Sequence, residues 1–356
     1  MNPGYVARPL VMRVPDRTKT PSPEEQLAYW RGQLAGAPPR LTLAPDFARP
    51  SRKQTAGRRC VFELGPDRAA GVERLARETQ TTTFTVLLAA WQLLLGRHAG
   101  QRDVVVGTKV GANVVALRAR LDRAATFRSL LGSVHETTTA AAAHRDVPFE
   151  RVAEALSPAV DPSHTPIFQV MFEHRARASG TKGDRQHVPD APVEATFDLT
   201  LAVEADGAAL HGALDYDAAL FTRATASRLC ARYDALLDAA LARPDLPLDG
   251  LPITTAGERH DLLVTWNDTA TGPLPTASVN ALFARQVAAT PDAVAVACGD
   301  ETLRYGELAA RAAHLAGRLR AAGVGPDVRV GVCVDPSTSM VVALLAVLRA
   351  GGASPK

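Results

Sequence analysis

Cysteine is scarce and scattered. Cys60, Cys230, Cys298 and Cys333 are the four in 356 residues, and no two stand at the spacing of a metal-ligand or redox motif. That pattern suits a reducing cytoplasm. Long apolar runs are missing as well: Met1 to Thr20 carries several arginines but no stretch that would serve a signal peptide, and the apolar helices further on are too polar to span a bilayer. No block of one charge sign exists either, since 40 basic and 37 acidic residues, net +3, are interspersed. Neither a nucleic-acid arm nor a membrane-surface segment is indicated.

What is present is a core. A chain with 46% hydrophobic and 22% charged residues can bury enough surface for two or three domains. The first residues are polar and proline-punctuated and read as a flexible leader over 1–21. Order is expected from Ser22, which can cap a helix with Glu24 and Glu25 in its first turn and Leu27, Trp30 and Leu34 on one face. Arg59 to Leu64 alternate as a strand, Pro66 to Glu78 have helical spacing, and Thr83 to Arg97 carry a broad apolar face.

Val104-Val-Val-Gly-Thr108 is short, apolar and β-branched, hence a buried strand. A helix from about Thr126 runs to His144, with Pro148 opposing its continuation. Arg175 to Val193 read as a surface loop whose basic residues, Lys182 and His187 among them, are accounted for by plain solvation, with attraction of the phosphate of a pantetheine arm as the lesser alternative. Phe197 to Val203 and Leu210 to Tyr216 suit a hairpin across Asp206-Gly207, and Ala224 to Ala242 a packing helix. The succession of helices and buried strands predicts a layered α/β (α+β) fold.

Beyond it, Thr255 to Trp266 begin with a capped helical turn, and Asn267 to Ser278 form a polar linker. Val279 to Ala289 suit a helix, Ala293 to Ala297 a strand, Glu301 to Leu308 a strand entering a helix, Val328 to Val334 a buried strand and Met340 to Arg349 a helix.

Several segments carry a family resemblance: Glu25-Gln-Leu-Ala-Tyr-Trp-Arg-Gly-Gln-Leu34, Val105-Val-Gly-Thr108, His144-Arg-Asp-Val-Pro-Phe-Glu150, Pro166-Ile-Phe-Gln-Val-Met-Phe172 and Leu210-His-Gly-Ala-Leu-Asp-Tyr-Asp217. In this order they resemble the second half of a nonribosomal peptide synthetase condensation domain. Trp266-Asn-Asp-Thr269 resembles its exit linker, and Leu303-Arg-Tyr-Gly-Glu-Leu308 the opening of an adenylation (AMP-binding) domain.

The resemblance implies a chloramphenicol-acetyltransferase-like C-terminal lobe over 22–255. A linker over 256–278 and a truncated N-terminal piece of an adenylate-forming domain over 279–356 would follow. It also implies a reaction in which carrier-bound aminoacyl and peptidyl thioesters are joined through an amide.

The family's reaction centre is a His-His-x-x-x-Asp-Gly motif in the other lobe, and none of the nine histidines here adjoins another. His144 is the weak catalytic candidate, with Asp146 near enough in sequence to orient it. The alternative is that His144 caps the preceding helix while Asp146 ties down the turn. Val110-Gly-Ala-Asn-Val-Val-Ala-Leu117 resembles a shortened tunnel-side motif, with Asn113 in the place of its asparagine. Only Lys109 separates it from Thr108, a deletion expected to threaten strand register, because a one-residue slip inverts which side chains face the core.

No cofactor or metal is expected to bind these residues. The parent system would use phosphopantetheine on carrier domains, and ATP with magnesium at a glycine-rich loop beyond Lys356. Three readings follow: a truncated product inactive alone; a docking module that recruits carrier domains, engages other synthetase modules or completes a separately encoded N-terminal lobe; and a stand-alone acyltransferase using His144.

Overall fold

The computed structural model describes residues 21–156, 161–176, 190–206, 209–269 and 277–354. It divides into two compact units, Met1–Asn267 and Asp268–Lys356. The leader, most of the 175–193 loop with Lys182 and His187, and part of the linker lie outside the described residues.

The first unit begins with α1 (Pro23–Leu34), where the Ser22 hydroxyl accepts from the Glu25 N–H and the Glu25 carboxylate accepts from the Ser22 N–H. Next come β1 (Ala56–Leu64), α2 (Pro66–Glu78), α3 (Thr83–Ala99), β2 (Asp103–Val110) and β3 (Asn113–Arg120). They are followed by α4 (Phe127–Ala143), α5 (Phe149–Leu156), β4 (Val170–Ala176), β5 (Pro192–Glu194), β6 (Leu199–Asp206), β7 (Ala209–Asp217), α6 (Arg223–Ala242) and α7 (Ala256–Leu263). The strands form one mixed sheet in the order β3-β2-β4-β6-β7-β1-β5. β4 runs parallel to β2 and β6, and every other pairing is antiparallel.

Helix α3 organises the interior. Every residue from Phe84 to Gly96 is buried, as expected of a helix apolar on all sides. Two of these are polar, Thr85 and Gln92, and Gln92 donates from Nε2 to Leu117 O on β3 at 3.0 Å. Tyr233 on α6 donates its hydroxyl to Leu87 O at 3.1 Å, so both buried dipoles fasten α3 to its neighbours. Thr82 caps its start, and Gly100, at φ 66°, supplies the left-handed turn that ends it.

Strand alternation gives the sheet two unlike faces. Leu64, Leu210, Leu214, Leu201, Val203, Val170, Phe172, Val106 and Leu117 are buried on the face that meets α2, α3 and α6. The opposite face carries Arg59, Asp215, His211, Glu204, Glu173 and Lys109, placed side by side by the registers Arg59↔Asp215 and Glu204↔His211.

The shortened segment after Thr108 leaves register intact. β2 and β3 pair continuously from Asp103↔Arg120 to Val110↔Asn113, closed by Gly111-Ala112 with Gly111 at φ 65°. A two-residue loop with glycine first is a favoured hairpin connection, so the deletion yields a tight turn instead of the expected slip. Gly107 in β2 is needed for packing: a Cβ there would lie 2.1 Å from the Phe168 ring and 2.5 Å from Met171 Sδ.

Two further expectations are corrected. Residues 175–176 end β4 and 192–194 form the edge strand β5, so the 175–193 segment is not loop throughout. Val328 to Val334 form no strand beyond an isolated bridge between Arg329 and Ala353; β-branched residues make a strand only where a neighbour completes the ladder.

The second unit contains α8 (Val279–Ala289), the hairpin β8 (Val294–Cys298) and β9 (Glu301–Arg304), α9 (Tyr305–Ala321) and α10 (Thr338–Ala350). Its buried residues include Leu303, Leu308, Ala312 and Val347, together with a cluster of Ala316, Ala346 and Ala350 with Leu315, Leu319 and Val324 against it. Thr338 at the start of α10 donates to Glu301 at 2.7 Å. Val279, Val294, Val328, Val334, Leu344 and Leu348 are exposed. No described helix is long and apolar enough to cross a membrane.

Candidate functional site

The sequence candidates converge on one turn, where α4 stops. Its last residues leave carbonyls without intrahelical donors, and the chain must reverse before Pro148. His144 sits at the C-cap with φ −116°, and its Nδ1 donates to Ala140 O at 2.8 Å. A carbonyl only accepts, so Nδ1 carries a proton, and of the two neutral tautomers the one with its lone pair on Nε2 is selected. The Tyr29 ring stacks on the imidazole with centroids 3.9 Å apart and planes 9° from parallel.

The neighbours are held equally firmly. Trp30 Nε1 donates to His144 O at 3.0 Å, and Asn113 Nδ2 to Arg145 O at 2.7 Å. The backbone N–H of Asp146 donates to Gln26 Oε1 at 3.0 Å, while Gln26 Nε2 donates to Asp146 Oδ2 at 3.4 Å. Burial pushes the Tyr29 phenol up to about 12, which keeps it a neutral packing surface. His144, Asp146 and Asn113 are thus brought together: the imidazole and the Asn113 amide satisfy backbone carbonyls of the turn, and the Asp146 carboxylate meets the Gln26 side chain. The imidazole is oriented by the Ala140 carbonyl and the Tyr29 ring.

A second constellation is invisible to motif reading. Ser163 Oγ donates to Asp161 Oδ1 at 2.6 Å, and His164 Nδ1 lies 2.7 Å from that hydroxyl and 3.1 Å from Asp161 Oδ2. Ser, His and Asp are all present, yet the hydroxyl proton goes to the carboxylate and one ring nitrogen meets both partners. A relay needs the two imidazole nitrogens to serve different groups. Hydrogen bonds from the Ser163 hydroxyl and N–H hold Asp161 down to about 2, while burial and then Arg49 and Arg40 lower His164. The chemistry is that of a pinned Asx turn.

Beneath that turn, Arg49 forks onto Asp198, with Lys53 Nζ 3.8 Å from the same carboxylate and 5.5 Å from the Phe197 ring centroid. Asp198 and Asp217 are 3% and 2% exposed, so this charge cluster is core material. Burial raises Asp217 and lowers Lys53. On the open sheet face, Arg59 reaches Asp215 through two bonds of 2.5 and 2.6 Å, and Lys109 reaches the buried Glu173 at 2.9 Å. Sequence reasoning missed both groups because the partners lie far apart in the chain, Arg49 from Asp198 and Arg59 from Asp215; the alternation in β1 was the one visible trace of the second.

Among the described residues no acidic, histidine and cysteine group could hold a metal ion, and the second unit's sole lysine, Lys356, is outside them. The described residues do not fit an ATP and magnesium site, and no step is assigned through one.

Known proteins share this architecture. Residues 16–263 match the model of the condensation domain and 283–354 that of the AMP-binding enzyme. Malpinin synthetase of Mortierella alpina is 37% identical across 93% of this chain, which spans 4% of that protein. Phosphinothricin tripeptide synthetase of Streptomyces viridochromogenes is 36% identical across 92%, the chain spanning 30% of it. A four-domain nonribosomal peptide synthetase solved with AMP and glycine superposes with TM-score 0.79 at 24% identity, over 93% of this chain and 28% of that one. This chain belongs to the condensation-domain family of nonribosomal peptide synthetases and continues into the start of an AMP-binding domain.

Proposed function

We propose that these residues supply one lobe of a condensation unit, and that amide formation between carrier-bound thioesters depends on groups provided by a second lobe bearing His-His-x-x-x-Asp-Gly. The observation that carries this reading is the state of His144. Its Nδ1–H is spent on Ala140 O and its ring on Tyr29, so what remains is a nitrogen with no oriented carboxylate behind it and no described oxyanion donor. General-base catalysis requires a base and a positioned substrate together, and stabilising a tetrahedral oxyanion requires aimed donors.

The half-buried polar face of the sheet, with Lys109–Glu173 and Arg59–Asp215, is the surface we assign to the second lobe and the pantetheine arms of carrier domains. Charged rows of alternating sign tolerate a wet interface that an apolar face would not.

The test is complementation. The chain, a separately expressed N-terminal lobe carrying the histidine motif, and two loaded carrier domains are combined, and amide product is followed by mass spectrometry. Product only when both lobes are present supports the reading. Product from the chain alone, or none with both lobes although they bind, overturns it.

A further inference from the structure

The first unit contains two cysteines, Cys60 and Cys230, and the fold places them against each other. Cys60 lies on β1 opposite Leu214, facing α6. Its Sγ is 3.6 Å from Ser227 Oγ. Cys230 is three residues further along α6, on the same helix face as the Ser227 hydroxyl that Cys60 Sγ meets. Both are free thiols; Cys60 is half-buried and Cys230 is buried.

The two sulfurs are electronically unequal. Donation from Cys230, then from Ser227, together with the positive charge of Arg223, brings Cys60 down to about 6 against the opposing effects of burial and Asp190. The same contact, and then burial, pushes Cys230 up. One sulfur is thus an accessible thiolate and its neighbour a protonated thiol, the division found where an attacking and a resolving cysteine share a site.

We propose that Cys60 is a peroxide-reactive thiol and Cys230 its resolving partner, so that two-electron oxidation ties strand β1 to helix α6 through a disulfide. In the first step the Cys60 sulfur attacks hydrogen peroxide. An S–O bond forms, the O–O bond breaks, and hydroxide leaves to take a proton as water. In the second step the Cys230 sulfur attacks Cys60–SOH. The S–S bond forms, the S–O bond breaks, and the oxygen departs as water with the Cys230 proton. Two thiols and one peroxide become one disulfide and two waters.

The experiment uses the whole chain treated with limiting hydrogen peroxide, followed by non-reducing peptide mapping and iodoacetamide labelling across pH. Expected are a cross-linked pair of β1 and α6 peptides, reversed by dithiothreitol, and Cys60 labelling that rises through pH 6 and levels off above it. At pH 6 that labelling should run on the order of tenfold faster than at an ordinary cysteine, the thiolate gain being partly offset by lower nucleophilicity. In Cys230→Ser, Cys60 should accumulate as a dimedone-trapped sulfenic acid.

Oxidation confined to the exposed Cys298 and Cys333, or Cys60 labelling that climbs only toward pH 9, would overturn the assignment. Because both can be read on the wild-type chain, a variant that fails to fold does not decide the outcome.

Discussion

Replacing His144 by alanine removes two contacts at once: the Nδ1–H bond to Ala140 O and the ring stacked on Tyr29. A net hydrogen bond is worth about 0.5–1.5 kcal/mol, and an aromatic stack adds about 0.5–1.5 kcal/mol. Together about 2 kcal/mol should be lost, and in a unit of this size each kcal/mol moves Tm by about 2–4 °C. The expected fall is therefore about 6 °C by that scaling. His144→Phe keeps the stack and should lose only the hydrogen-bond share, roughly half.

The assay pairs near-UV circular dichroism melts with acyl transfer from a pantetheine thioester. Background transfer that is equal in wild type and both variants, with graded melting, is the expected result. Unchanged melting accompanied by loss of a measurable wild-type transfer rate would refute the structural assignment and restore His144 as a base.

Other consequences follow from the same geometry. Arg49→Ala leaves the buried Asp198 carboxylate only the longer contact to Lys53 and should cost about 3 kcal/mol, read by urea unfolding, whereas Arg49→Met with Asp198→Leu should recover most of it; equal losses would contradict the pairing. Gly107→Ala drives a methyl into Phe168 and Met171 and should cost about 1–3 kcal/mol by urea unfolding; a silent Gly107→Ala would show the contact to be soft. His98 is lowered from its ordinary 6.5 by burial and then by Arg232 and Arg228, and its Nδ1 lies 3.3 Å from the Arg232 guanidinium, which can only donate. A base lowered on folding stabilises fully above its unfolded value, and that stability is lost as pH falls toward the folded one. Tm should therefore drop between pH 7 and 5, less steeply in His98→Gln; identical slopes would remove His98 as the cause.

Legibility of the chain followed range. The Ser22 cap, the helix starting near Thr126, the broad apolar face of α3 and the β6–β7 hairpin depend on neighbours within a few residues, and each was visible as a pattern. Val328 to Val334 had the composition of a strand but no ladder to join, a fact that composition does not carry. The candidate turn was half visible. His144 at a helix end before Pro148 is local, but Gln26, Tyr29 and Trp30, which decide what the imidazole can do, arrive from α1 far upstream. Cys60 and Cys230 looked unrelated for the same reason: strand and helix become neighbours only through the sheet order. The hairpin at Gly111 shows the converse, since a tight turn kept the register that deletion seemed to endanger.

The central claim is that these residues form a lobe without a reaction centre of its own. Its most direct test is amide product formed by the purified chain alone from two carrier-bound aminoacyl thioesters, quantified by mass spectrometry against a carrier-only control. The account predicts product at the control level. Turnover above it, especially turnover abolished in His144→Ala, would contradict the account.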